Sequence, residues 1–248
     1  MASDGTYLYA FRGMNQTAFW RYNVSAGTWG SLAVAPQKTE SGAALVHANG
    51  YVYGLRGNRK QDFWRYNIST GSWSTLASAP ANVDWGGALA WDGSDTIYAF
   101  RGDSKNNFWK YSISGNSWSA LSVAPATVGQ GGSLAYVSGT LYAFRGNNAT
   151  TFWKYRVSTG TWSSLTSTPA TVEEGGSLSW PGGDYIYALR GDMSTNVWRY
   201  SISGNSWESL ASAPANVDDG GALIHLDDEF YALRGDNNTN FWKFTPSP

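Results

Sequence analysis

The chain has 248 residues, 42% of them hydrophobic and 16% aromatic, with 14 Trp and 15 Tyr, a composition that packs and does not stay disordered. A net charge of −1 leaves no electrostatic footprint for nucleic acid, and no apolar run approaches the length of a membrane span. With no Cys there is neither a disulfide framework nor a thiolate-held metal site.

The first recognisable element starts at Tyr7, a run of strand formers that ends on Arg12-Gly13 and is followed by Phe19-Trp20-Arg21-Tyr22. This signature recurs along the chain, with its Trp at 20, 64, 109, 153, 198 and 242, spaced by 44, 45, 44, 45 and 44 residues. Such a period marks a repeat architecture, in which one unit cannot bury its own apolar face and neighbours must stack. Six of the 17 basic residues are the Arg of Arg-Gly, and six more follow the repeated Trp. Positive charge therefore belongs to the scaffold pattern and not to a patch.

The copy at 131–169 shows the unit whole. Gly131 to Tyr136 is small and apolar and predicts strand a, with Ser138-Gly139 as a turn. Thr140 to Arg145 predicts strand b, and the polar Gly146 to Thr150 the next turn. Phe152 to Val157 alternates and predicts strand c; after the tight turn at Ser158 to Gly160, Thr161 to Leu165 predicts strand d. No stretch has a helical period, and 29 Gly are too many for helices. Four antiparallel strands per 44–45 residues predict a single all-β domain over 1–248, a β-propeller of four-stranded blades. The glycines opening strand a suit the crowded axis. The chain ends on a sixth strand c, at Phe244, so there are six b–c pairs but five a strands and five d strands. The count favours six blades over five, with the first and last blades incomplete or shared with another chain. Open edges at both ends invite strand pairing between chains, and hence a homo-oligomer through the terminal strands.

The unit resembles the kelch repeat: a strand ending in Gly, then a Tyr, then a Trp seven residues later. The pairs here are Tyr22/Trp29, Tyr66/Trp73, Tyr111/Trp118, Tyr155/Trp162 and Tyr200/Trp207. The resemblance covers nearly the whole chain and implies a propeller. It departs at the end of strand b, where kelch repeats carry Gly-Gly and this chain has Arg-Gly in all six copies. The Phe-Arg-Gly…Trp pattern is also similar to tectonin-like bacterial propeller lectins. Kelch-type copper oxidases need a Cys beside a Tyr, and the chain has no Cys. Sialidase propellers carry an Asp in a Ser-x-Asp-x-Gly-x-Thr-Trp box; the matching turns at Ser69 to Trp73 and Ser114 to Trp118 lack it. No Ser-His-Asp grouping or isolated carboxylate pair stands out, so no catalytic residue is assigned.

Three sets of residues are candidates for a site. The Arg ring (Arg12, Arg56, Arg101, Arg145, Arg190 and Arg234) ends strand b, on the face that also carries the d–a connections and their acids Glu40, Asp84, Glu173 and Asp218. Paired across blades, these would fix register as two-point Arg–carboxylate contacts; unpaired, they would form a polar ring for an anionic or hydroxyl-rich ligand. The last residue of strand a varies as His47, Trp91, Tyr136, Trp180 and His225, all rings with a polar handle, placed at the opposite face near the axis. Trp85 is an unrepeated aromatic in a d–a loop. Aromatics of this kind stack on sugars while bonding hydroxyls; they could equally plug the channel. Two His are too few for a metal, and no cofactor is expected. The functional expectation is a non-catalytic, multivalent, lectin-like module binding a glycan through His47, Trp85, Trp91, Tyr136, Trp180 and His225. The alternatives are a structural or protein-interaction propeller that self-associates, and an artificial or recently amplified ring with no ligand of its own.

Overall fold

The computed structural model describes residues 1–245 and contains 23 strands in six antiparallel sheets. Blade one comprises β1 (Ala2–Ser3), β2 (Tyr7–Phe11), β3 (Phe19–Asn23) and β4 (Thr28–Ser31). Blade two comprises β5 (Ala44–Ala48), β6 (Tyr51–Leu55), β7 (Phe63–Asn67) and β8 (Ser72–Thr75). Blade three comprises β9 (Ala88–Trp91), β10 (Thr96–Phe100), β11 (Phe108–Ser112) and β12 (Ser117–Ala120). Blade four comprises β13 (Ser133–Val137), β14 (Thr140–Phe144), β15 (Phe152–Arg156) and β16 (Thr161–Ser164). Blade five comprises β17 (Ser177–Ser179), β18 (Tyr185–Leu189), β19 (Val197–Ser201) and β20 (Ser206–Ser209). Blade six has three strands among the described residues: β21 (Ala222–Leu226), β22 (Glu229–Leu233) and β23 (Phe241–Phe244).

Strands run in chain order from axis to rim, and the innermost strands neighbour one another around a ring that closes where β21 meets β1. The chain is a six-bladed β-propeller. One expectation is corrected: the first blade is not missing its inner strand. Ala2 pairs with Tyr9 and Ser3 with Leu8. Two residues of weak strand propensity carry no pattern of their own, and β2 alone templates them.

The seven-residue Tyr/Trp spacing is a cross-strand pair. Tyr22 faces Trp29, Tyr66 faces Trp73, Tyr111 faces Trp118, Tyr155 faces Trp162 and Tyr200 faces Trp207. Their ring centroids lie 5.0–5.3 Å apart. Each such pair contributes about 0.5–1.5 kcal/mol beyond the area it buries.

The core lies between blades and not within them. Phe100 and Phe108 of blade three pack with Leu141, Ala143, Trp153 and Tyr155 of blade four, and each seam repeats this arrangement. Among the described residues, the seam between blades six and one holds the fewest buried side chains, Leu8, Leu226 and Tyr231. Outer-strand tryptophans latch the seams: Trp73 donates its indole N–H to the Ala33 carbonyl, Trp118 to Ala77, Trp162 to Ser122 and Trp207 to Thr166, at 2.9–3.0 Å.

Candidate functional site

The two ends of the channel differ in chemistry. Inner strands run from the face of the d–a connections to the face of the a–b turns, so their C-terminal ends gather at one end. Trp91 is the last residue of its strand as expected, whereas His47, Tyr136 and His225 are second to last and Trp180 follows the end of β17. His47, Trp91, Tyr136, Trp180 and His225 all line one cavity there, of about 300 Å³. Register places Ser3 at the sixth equivalent position, since Ser3 faces Leu8 as His47 faces Val52. Sequence reasoning missed Ser3, although one 44-residue period before His47 lands on it.

The five rings are half-buried. His47 meets Trp91 of the next blade edge-on at 6.3 Å, and Tyr136 stacks on Tyr98 at 6.3 Å with the rings nearly parallel. The indole N–H groups are already used. Trp91 donates to the Ser94 carbonyl at 3.0 Å and Trp180 to the Gly183 carbonyl at 3.1 Å, each within its own a–b turn. These two tryptophans therefore offer faces, not donors. Burial holds both imidazoles below the ordinary histidine pKa; for His47 the Asp4 carboxylate opposes this weakly, and for His225 Asp228 and Asp227 do. Near neutral pH each imidazole is uncharged and presents one donor and one acceptor. The five positions share a single cavity, so this end of the ring is one site and not several separate ones.

Trp85 does not join them. It sits 46% exposed in the connection before β9, beside Gly86 at the opposite mouth.

The Arg ring also differs from expectation. The Arg-Gly arginines do not pair with the connection acids; they clamp backbone carbonyls of the connection entering their own blade. Arg56 donates Nε–H to Lys38, Arg101 to Asn82, Arg145 to Thr127, Arg190 to Thr171 and Arg234 to Asn216, at 2.9–3.1 Å. Remaining guanidinium N–H groups reach the b–c turn, at Asp62 for Arg56, Asn107 for Arg101 and Asn240 for Arg234. The reason is accounting: a connection carbonyl has no sheet partner and needs a donor, whereas a carboxylate at the mouth can face water. Arg12 is exposed and makes no side-chain hydrogen bond among the described residues. Of the four acids, Asp84 forms an ion pair, with the turn residue Arg59 at 2.9 Å. Glu40, Glu173 and Asp218 take no Arg-ring partner. Burial and the neighbouring carboxylates push Glu173 and Asp218 above the usual carboxylate range. Among the described residues no group of three or more His, Cys, Asp or Glu could hold a metal, and no helix is long and apolar enough to cross a membrane.

Fold and site together define a six-bladed propeller with a differentiated aromatic channel end. The solved structure of YjhT is similar to this chain, with a TM-score of 0.68 and 18% identity over 82% of this chain and 74% of that one. A likeness at that identity shows the shared fold, which hosts many unrelated functions. No protein-family model and no curated protein matches the chain.

Proposed function

We propose that this propeller is a non-catalytic carbohydrate-binding module that takes a terminal sugar residue at the aromatic end of its channel. The observation that carries the reading is the gathering of His47, Trp91, Tyr136, Trp180 and His225 around one cavity. At about 300 Å³ it lies at the small end of ligand pockets, a size suited to one or two sugar rings. Half-buried aromatic faces accept the C–H faces of a pyranose, while two neutral imidazoles and the Tyr136 hydroxyl supply exchangeable donors and acceptors for its hydroxyls. The scaffold repeats nearly unchanged from blade to blade while this register varies, and variation on a rigid frame is where recognition resides. Binding is favoured over chemistry because neither imidazole has a hydrogen-bonded carboxylate or hydroxyl among the described residues, so no activated nucleophile or general base is assembled. Valency would come from presenting several copies of the ring on one surface.

The test is a glycan array followed by calorimetry on the best hit. Trp91→Ala and Trp180→Ala are each expected to weaken that hit by tenfold or more, with the thermal midpoint used to confirm folding. An array without hits, or a hit indifferent to both substitutions, removes the proposal.

A further inference from the structure

The seam between blades six and one has the shape of a socket for one more strand. In blades one to five the chain leaves strand c, forms the outer strand and crosses to the next blade, making a fixed set of bonds on the way. Between blades four and five, for example, Leu165 N–H donates to the Phe152 carbonyl, Thr168 N–H to Thr150 and Val172 N–H to Ala149, at 2.9–3.0 Å. Trp207 then donates to Thr166 and Arg190 to Thr171, at 3.0 and 2.9 Å.

At the sixth seam every receiving group is present and, among the described residues, none is used. The carbonyls of Phe241, Thr239 and Asn238, equivalent to those of Phe152, Thr150 and Ala149, accept no bond from a crossing segment. The Trp29 indole N–H has no acceptor and the ring is 38% exposed, whereas its four counterparts are bonded. Arg12 is unbonded where the other five arginines of the ring clamp a carbonyl. A Cβ on Gly13 would meet nothing within 4 Å, and one on Gly220 nothing nearer than 3.9 Å. On their counterparts Gly57 and Gly175 it would collide with the crossing backbone at 2.2 and 2.4 Å. Arg12, Trp29, Asn238 and Phe241 line one continuous cavity of about 970 Å³. Edge, latch, clamp and clearance lie along the path that one extended segment follows at each of the other five seams.

We infer that this seam binds, by strand addition to β23, an extended polypeptide segment with the chemistry of the chain's own outer strands: Ser/Thr-Trp-x-x-Leu, followed by Pro and Val. The five internal copies define that occupant. Each reads Ser/Thr-Trp-x-x-Leu and continues to a Pro, as in Ser206 to Val217. Lys243 occupies on β23 the register of Arg199 on β19 and is already paired with Glu229 at 3.3 Å, so the position after the incoming Trp needs no charge. That position is Gly or Ser in four of the five copies and Glu208 in the fifth. The incoming Trp seats against Phe244 and Val197, as Trp207 seats against Tyr200 and Phe152. A second copy of the chain is a poor occupant, because each of its matching segments is already paired with strand c of its own blade, and four of the five are also latched to the connection from the preceding blade. The inference is independent of the sugar site at the channel end.

The test uses the full chain and a fluorescently labelled 12-residue peptide with the sequence of Ser206 to Val217. Fluorescence anisotropy is expected to show saturable one-to-one binding. Trp29→Phe removes one donor and is expected to weaken it about three- to tenfold, the range one hydrogen bond supplies. Arg12→Gln, at an exposed position that supports no packing, should weaken it to a similar degree. Trp→Ala in the peptide should weaken it more than tenfold. No binding at millimolar peptide, binding unchanged in both protein variants, or a dimer of the chain alone that the peptide does not dissociate would each overturn the inference.

Discussion

Trp118→Phe isolates the latch between blades. The Trp118 indole N–H donates to the Ala77 carbonyl of the preceding blade at 2.9 Å, while its ring packs at a tilt against Tyr111 and edge-on against Phe63. Phenylalanine keeps an aromatic ring in both contacts and removes the donor. The lost hydrogen bond is worth about 0.5–1.5 kcal/mol net, and the smaller ring forfeits about 1 kcal/mol of apolar burial. Trp29→Phe incurs only the second loss, since the ring keeps its tilted contact with Tyr22 and its edge-on contact with Phe241 and the indole N–H has no acceptor among the described residues. The Trp118 variant should therefore be less stable than the Trp29 variant by about 1 kcal/mol, a midpoint difference of about 2–4 °C for a domain of this size. Differential scanning calorimetry of the two variants beside the parent reads it directly. Equal destabilisation at both positions, or a greater loss at Trp29, would refute both the latch and the view that the sixth seam lacks one.

Two further outcomes follow from the same geometry. Gly86 has φ of +85° and a Cβ there would lie 2.1 Å from the Gly129 carbonyl oxygen, so Gly86→Ala is expected to cost more than about 3 kcal/mol. Gly139, at +86° with nothing within 4 Å, should lose only about 1 kcal/mol as Ala, and urea midpoints distinguish them. Acid should weaken the fold through the channel histidines. Burial lowers the pKa of His47 and His225, so around and below pH 6.5 the unfolded chain binds more protons than the folded one and stability falls as pH falls. His47→Gln with His225→Gln should flatten the loss between pH 7.5 and 5.0 in urea titrations; an unchanged slope would mean that these imidazoles do not carry it.

Local pairing is what the amino-acid order determines here. Each blade is made of hairpins whose partners lie within a few residues, so a repeat of 44–45 residues and its turn residues suffice to define the strands and to favour six blades over five, while ring closure fixed the number and the Tyr/Trp spacing proved to be a cross-strand pair. The variable position near the end of strand a was visible for the same reason, because register within a hairpin is local, although it is the strand's last residue only at Trp91. What the ring decided depends on contacts between blades, which no local pattern encodes. Ala2–Ser3 has no strand pattern of its own; it pairs with β2 and takes the place at the axis where β5 and β21 flank it. Arg145 and its bonded equivalents meet carbonyls of the connection and not the connection acids, because the crossing chain passes over the end of strand b with unpaired backbone acceptors; the carboxylates that Arg56, Arg101 and Arg190 do reach belong to their own b–c turns. His47, Trp91, Tyr136, Trp180 and His225 converge on one cavity because six strands share an axis, while the same axial order sends Trp85 to the other mouth.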